Sequence, residues 1–161
     1  MQNNKPDCVF CDIIDEHDER RIVYEDDKLF VIPTIEPVNA GHLLVIPKKH
    51  VENFADLEDE TAGHIMIVAK KLSAAIRKSK YKCEGINLFL ADGKAAGQEV
   101  FHFHLHVYPR FQGDGWGFKW DESINLLRKK IRDLDEVVVE IKRQIANSPK
   151  GIPSRQIADN R

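Results

Sequence analysis

Three histidines alternate with apolar residues in the run Phe101-His102-Phe103-His104-Leu105-His106-Val107. Successive side chains of an extended strand point to opposite faces. Val100, His102, His104, His106 and Tyr108 would then share one face, and Phe101, Phe103, Leu105 and Val107 the other. The second set reads as a core face and the first as a row of imidazoles. Such a row could ligate a metal, or attack an electrophile through a neutral ring nitrogen while a second imidazole assists. His102 and His106 start about 13 Å apart at about 3.3 Å per residue, so one ion cannot take all three without a bend. The row is better divided, with different histidines doing different work. Cys8 and Cys11 form a Cys-x-x-Cys pair, which reads as half of a metal site or as a redox pair. A thioredoxin-like redox pair would follow a strand, and nothing strand-like precedes Cys8. Cys83 reads as a small buried or half-exposed residue, and His17 and His64 as solvated or helix-surface side chains.

The elements that must position these groups follow from patterning. Residues 1–7 read as a loose arm. Ile22–Glu25 and Leu29–Ile32 read as short strands joined by the charged turn Asp26-Asp27-Lys28. Pro33, Pro37 and Gly41 mark a loop, after which His42–Pro47 is an apolar run of strand length. Asp56 is the expected N-cap of a helix in which Leu57, Thr61, Ile65, Val68, Leu72 and Ala75 recur at helical spacing to about Ser79. Gly85–Leu90 and Val100–Tyr108 read as further strands, separated by a loop over Asp92–Gly97. Strands in series around one long helix imply a mostly antiparallel α+β domain. Farther on, Ile124, Leu127, Ile131, Leu134, Val138, Ile141 and Ile145 are spaced alternately three and four residues apart. That seam fits either a C-terminal helix laid on its own domain or a helix–helix contact across a dimer.

The chain has 161 residues, enough for one domain with a sizeable core. Lys+Arg 24 against Asp+Glu 26 gives a net charge of −2, which supplies no bulk field for nucleic acid. No apolar run is long enough to span a bilayer, and the polar N-terminus lacks a secretory h-region. The expected location is therefore cytoplasmic.

Three blocks resemble the signatures of the histidine triad (HIT) proteins. They are Cys8-Val9-Phe10-Cys11-Asp12-Ile13-Ile14, Gly41 to His50, and Gly97-Gln98-Glu99-Val100 continuing into the triple-histidine run. Gly63 to Leu72 is similar to the family's central helix. The resemblance implies a HIT-like α+β fold with a five-stranded, mainly antiparallel sheet, one long helix and a C-terminal helix. It implies a HIT domain over 8–120, a helix over 121–148 that could contact a dimer partner, and a disordered tail over 149–161. It further implies a nucleotidyl hydrolase or transferase acting at a nucleotide α-phosphate, on a nucleoside phosphoramidate or a dinucleoside polyphosphate. His104 would be the nucleophile, His106 would hydrogen-bond the phosphate, and His42 would support the histidine row. Gly97, Gln98, Glu99 and Val100 would line the phosphate, and Ile13, Ile35 and Leu44 would wall the base. By the same resemblance Cys8, Cys11, His50 and His102 would hold a structural zinc, and the protein would be a homodimer.

Three positions depart from the family pattern. Thr34 stands where many relatives place an acidic residue for the ribose. Ala91 replaces an Asn, and Glu99 replaces a Ser or Thr beside the phosphate. A carboxylate there repels an anion unless a cation compensates, and Lys94 is the nearest candidate. These losses motivate an alternative, a nucleotide-binding or interaction module with weak or lost catalysis. A metallohydrolase that uses the histidine row on a catalytic ion is a third reading.

Overall fold

The computed structural model describes residues 7–16, 21–117 and 134–147. A first unit running to Trp116 contains α1 (Val9–Glu16), β1 (Tyr24–Glu25), β2 (Leu29–Pro33), β3 (Leu43–Pro47), α2 (Asp59–Lys78), β4 (Gly85–Phe89) and β5 (Leu105–Arg110). A second unit begins at Gly117 and contains α3 (Leu134–Asn147). Of the alternating apolar seam, Leu134, Val138, Ile141 and Ile145 lie on α3, where Val138, Ile141 and Ile145 are exposed. The seam's first three members and the tail 149–161 lie outside the described residues. No helix among the described residues is long and apolar enough to cross a membrane.

The five strands form one antiparallel sheet in the order β1-β2-β3-β5-β4. The register puts Leu44 opposite His106 and Val45 opposite Leu105. Both faces of the central strands are covered, so β2 and β3 read as continuous apolar runs rather than alternating ones. On one face Leu29, Val31, Leu43, Val45, Leu105 and Val107 pack on α2. On the other, Phe30, Ile32, Leu44 and Ile46 receive Phe10 and Cys11 of α1.

α2 presents Thr61, Ile65, Val68, Ala69, Leu72 and Ile76 to the sheet, one stripe at helical period. Asp59 and Glu60 in its first turn and Arg77 and Lys78 in its last complement the helix dipole. Its start differs from expectation. Asp56 closes a 3-10 turn over Phe54–Asp56, and α2 begins at Asp59 with Glu58 at the cap position. Ile76 takes the buried place expected of Ala75.

His64 is not merely a surface residue. Its Nε2 lies 2.6 Å from Asp26 Oδ2, which also accepts the Tyr24 hydroxyl at 2.6 Å. Asp26 Oδ1 accepts the amides of Lys28 and Leu29. Burial pushes the Asp26 carboxyl up, but these four hydrogen bonds outweigh it and hold the group well below the usual carboxylate range. The β1–β2 turn is thereby tied to α2.

Two further boundaries moved. α1 was not expected as a helix; Cys8 stands just before it, and the Cys8 carbonyl accepts the Asp12 amide at 3.0 Å. β5 runs from Leu105 to Arg110, not from Val100 to Tyr108. Residues 100–104 instead wrap toward the segment after β3, with the Phe103 amide donating to Val51 O at 2.6 Å. Phe101, expected in the core, is consequently 44% exposed.

The α2 stripe makes a direct test. Ile65→Ala should cost about 2–5 kcal/mol in urea denaturation, whereas Met66→Ala on the exposed face should stay within about 0.5 kcal/mol. Equal costs would place the core on a different face.

Candidate metal centre and histidine site

The bend over residues 100–104 divides the histidines. His102 is fully buried and leaves the row. Its Nε2–H donates to Pro47 O at 2.8 Å, so Nδ1 carries the lone pair. That Nδ1 lies 3.4 Å from Cys8 Sγ and 3.7 Å from Cys11 Sγ, while His50 Nδ1 lies 3.4 Å from Cys11 Sγ. All four donor atoms lie within 4.8 Å of one another.

A tetrahedral ion with metal–sulfur bonds of about 2.3 Å and metal–nitrogen bonds of about 2.0–2.1 Å needs donor–donor edges of about 3.3–3.8 Å. The three contacts of 3.4, 3.7 and 3.4 Å match such edges. Two thiolates and two imidazoles complete four-coordination with protein groups, so the centre is a closed, structural site of the kind zinc prefers. Cys8 precedes α1 and Cys11 lies in its first turn, so the site pins α1 to the loop that carries the histidines. With His102 among these donors, the three alternating histidines do not share one ion.

His104 is held by the same residue. Its Nδ1–H donates to the His102 carbonyl at 2.8 Å, and Phe10 packs against the ring with centroids 5.1 Å apart. Nε2 is therefore the unprotonated nitrogen. Burial lowers the His104 basicity, which the bond to His102 and the charge of Glu99 oppose.

His106 belongs to a second chain of bonds. The Val38 amide donates to His42 Nδ1 at 3.2 Å, which places the His42 proton on Nε2. His42 Nε2–H donates to His106 Nδ1 at 2.9 Å, which in turn leaves the His106 proton on Nε2. Burial pushes His42 down to about 4 and His106 to about 3, so both are neutral at pH 7. One backbone amide thus fixes His106 Nε2 as a donor beside His104, the two rings 4.9 Å apart.

The loop before the histidines is built differently from expectation. Gln98 is buried: its Oε1 accepts the Gly93 amide at 2.7 Å and its Nε2 donates to Glu52 O at 2.9 Å. The amides of Gly97 and Gln98 close onto Lys94 O and Gly93 O. Gly97 supports this closure in the left-handed region at φ 86. Neither Gly97 nor Gln98 therefore has its amide free for a phosphate, and Glu99 and Val100 are the loop members left. Leu44 is buried and Ile13 packs on the same cluster, but Ile35 is 93% exposed and stands apart from them. Thr34 spends its hydroxyl on the Glu36 amide, and Ala91 is buried.

Beyond His106 lies an aromatic group, in a segment whose glycines and aromatics read in the sequence either as a tight turn covering an edge or as a rim that reads the leaving group. Tyr108 contacts His42 and His106, and stacks with Phe89. Trp116 meets Tyr108 edge-on at 4.8 Å under the Arg110 guanidinium. Asp114 anchors this turn, accepting from Arg110, Asn39 and the amides of Phe111 and Trp116. Gly113 and Gly115 take positive φ in this turn.

Two outcomes follow from this geometry. Removal of bound metal by a strong chelator, or Cys11→Ser, should lower the thermal midpoint by several degrees, because the centre ties α1 to the sheet. An unchanged midpoint would separate the centre from stability. Second, His42 and His106 titrate below their ordinary 6.5 when folded. Their contribution is complete above pH 6.5 and is lost as pH falls from there toward about 4 and about 3, where the unfolded chain takes up protons that the fold refuses. Denaturation between pH 7 and 5 should show unfolding free energy falling with pH. The slope should be shallower in a His42→Asn, His106→Asn double variant, and equal slopes would refute the assignment.

Comparison with known proteins agrees with this geometry. The HIT domain profile matches residues 16–113. An uncharacterized HIT-like protein of Borreliella burgdorferi is 43% identical over 129 residues, 80% of this chain and 93% of that protein. The crystal structure of a Zn-bound histidine triad family protein from Mycobacterium smegmatis is 40% identical, with a TM-score of 0.65, covering 81% of this chain and 97% of that one. A HIT family member from Bacillus subtilis is 36% identical with a TM-score of 0.75, covering 88% of this chain and 99% of that one. The chain therefore belongs to the HIT domain family, whose members are generally nucleotide hydrolases or transferases.

Proposed function

We propose that this protein is a nucleotidyl hydrolase or transferase that cleaves at a nucleotide α-phosphate through a nucleotidyl-histidine intermediate on His104. The observation that carries this reading is the bond from His104 Nδ1–H to the His102 carbonyl, which leaves Nε2 with its lone pair in a neutral ring. In the first step that pair forms a bond to phosphorus, and the bond to the leaving group breaks with its electrons on the leaving atom. Water then attacks phosphorus, loses a proton, and returns the pair to His104 Nε2. His106 Nε2–H donates to the phosphoryl group as charge develops. His42 acts as a positioning residue, since it fixes the His106 tautomer.

The amides of Glu99 and Val100 take the phosphate-binding part first expected of Gly97 and Gln98, and Ile13 and Leu44 wall the base. The metal centre is assigned zinc with a structural role, on the chemistry of its donors and the Zn-bound relative. A cytoplasmic homodimer completes the reading, on family likeness; sedimentation would check the assembly.

The test compares wild type with His104→Asn on adenosine and guanosine phosphoramidates and dinucleoside polyphosphates. Wild-type turnover should fall by about 10³-fold or more in the variant. Acid-labile nucleotidyl label on the wild-type chain should be absent from it. Equal activity in both would remove His104 as nucleophile. Nucleotide binding without turnover in either would instead support a binding module.

A further inference from the structure

His42 and His106 are joined by one hydrogen bond, and a bond between two neutral rings holds an orientation poorly wherever water competes for both nitrogens. What excludes water from that bond therefore matters. Tyr108 follows His106 by two residues on β5, so alternation places both on one face of the strand. The ring centroids of His42, His106 and Tyr108 form a triangle. Its sides are 5.2 Å between the histidines, 4.3 Å from Tyr108 to His42 and 5.2 Å from Tyr108 to His106. The contact with His42 is edge-on at 86° and that with His106 is tilted at 47°, so one ring bears on both partners of the bond.

Packing of the sheet does not account for Tyr108. It is buried, as His42 is, yet it belongs to neither apolar cluster that covers the strands. Its other aromatic contacts among the described residues are Phe89 and Trp116. Phe89 lies opposite His106 across the β4–β5 pair, stacks on Tyr108 at 5.9 Å and touches His106 at 5.8 Å. Trp116 meets Tyr108 and Phe89 edge-on. Trp116 is itself fastened. Its carbonyl accepts Arg110 Nη2, its amide donates to Asp114 Oδ1 at 3.2 Å, and the guanidinium lies over its ring at 4.8 Å. Arg110 and Asp114 form an ion pair of their own.

We propose that Tyr108 is a positioning residue, a role that rests on the part given to His106 above. Braced by Phe89 and Trp116, its ring fixes the planes of His42 and His106 and keeps water off the bond between them. His106 Nε2 then remains the donor. Without the ring, water can take the place of either histidine in the bond, and the His106 proton is shared between its two nitrogens. A donor that carries its proton for only part of the time stabilises developing phosphoryl charge less. Tyr108 acts only through these two rings.

The experiment uses the full metal-loaded chain with 15N-labelled histidine, as wild type, Tyr108→Ala, Tyr108→Phe and Trp116→Ala. The His106 signals are identified by their loss in His106→Asn. At about pH 8 the rings are neutral, so their nitrogen shifts read tautomers alone. Wild type and Tyr108→Phe should show His106 with a protonated Nε2 and an unprotonated Nδ1. Tyr108→Ala should draw the two shifts toward one another as the tautomers exchange. On an adenosine phosphoramidate, kcat should fall by about tenfold in Tyr108→Ala with KM nearly unchanged, and Tyr108→Phe should restore it. Trp116 lies outside β5, so Trp116→Ala withdraws only the brace and should give the same changes to a smaller degree. It decides the matter where Tyr108→Ala does not fold. Unaveraged His106 nitrogens in folded chains lacking the ring or its brace would overturn the inference, as would a Tyr108→Phe chain that behaves like Tyr108→Ala. Absence of turnover in wild type would overturn the proposed activity alone, because the nitrogen shifts read the bracing without it.

Discussion

Everything at this site depends on His102. Its Nε2–H holds Pro47 O, its Nδ1 faces two sulfurs, and its carbonyl orients His104. A single buried residue thus links β3, the helix carrying Cys11 and His104. An imidazole can do this only when burial keeps it neutral and each nitrogen has a defined role. Burial here pushes its basicity down to about 4, against the pull of the Pro47 bond. A metal ion then supplies what the ring's second nitrogen requires, and the polar group has no unmet demand inside the fold.

The second line of bonds works without metal. Val38, His42 and His106 pass a hydrogen-bond polarity along three groups, so a main-chain amide decides which His106 nitrogen carries the proton. The two lines meet at His104. One leaves a lone pair on its Nε2, and the other presents a donor nearby. The sheet makes this possible because β3 and β5 are adjacent and share register, with Leu44 opposite His106.

Much of this was legible in the residues themselves. The spacing argument against one ion on three histidines anticipated their division, and the structure divides them. Period alone, however, overextended β5 to Val100. The alternation of 100–104 is that of a strand, yet His102 is drawn toward Pro47 and the cysteines, a long-range demand no local pattern contains. α1 was within reach: Phe10, Ile13 and Ile14 have helical spacing, but the segment is shorter than the window that makes periodicity persuasive. The role of Gln98 was out of reach, since an amide that staples a loop and one that binds a ligand look the same in a sequence. His64 reads as solvated for the same reason, its Asp26 partner being 38 residues away.

The pairing of β3 with β5 has a consequence for how the molecule comes into being. His42 and His106 are 64 residues apart, and the strands that bring them together enclose α2 and β4. Closing so large a loop is entropically costly and slow compared with forming α2 alone. An emerging chain can therefore hold helix and hairpin while possessing no reactive histidine pair. The histidines therefore acquire their aligned neighbours only once β3 and β5 have paired, and a chain short of that pairing lacks the arrangement.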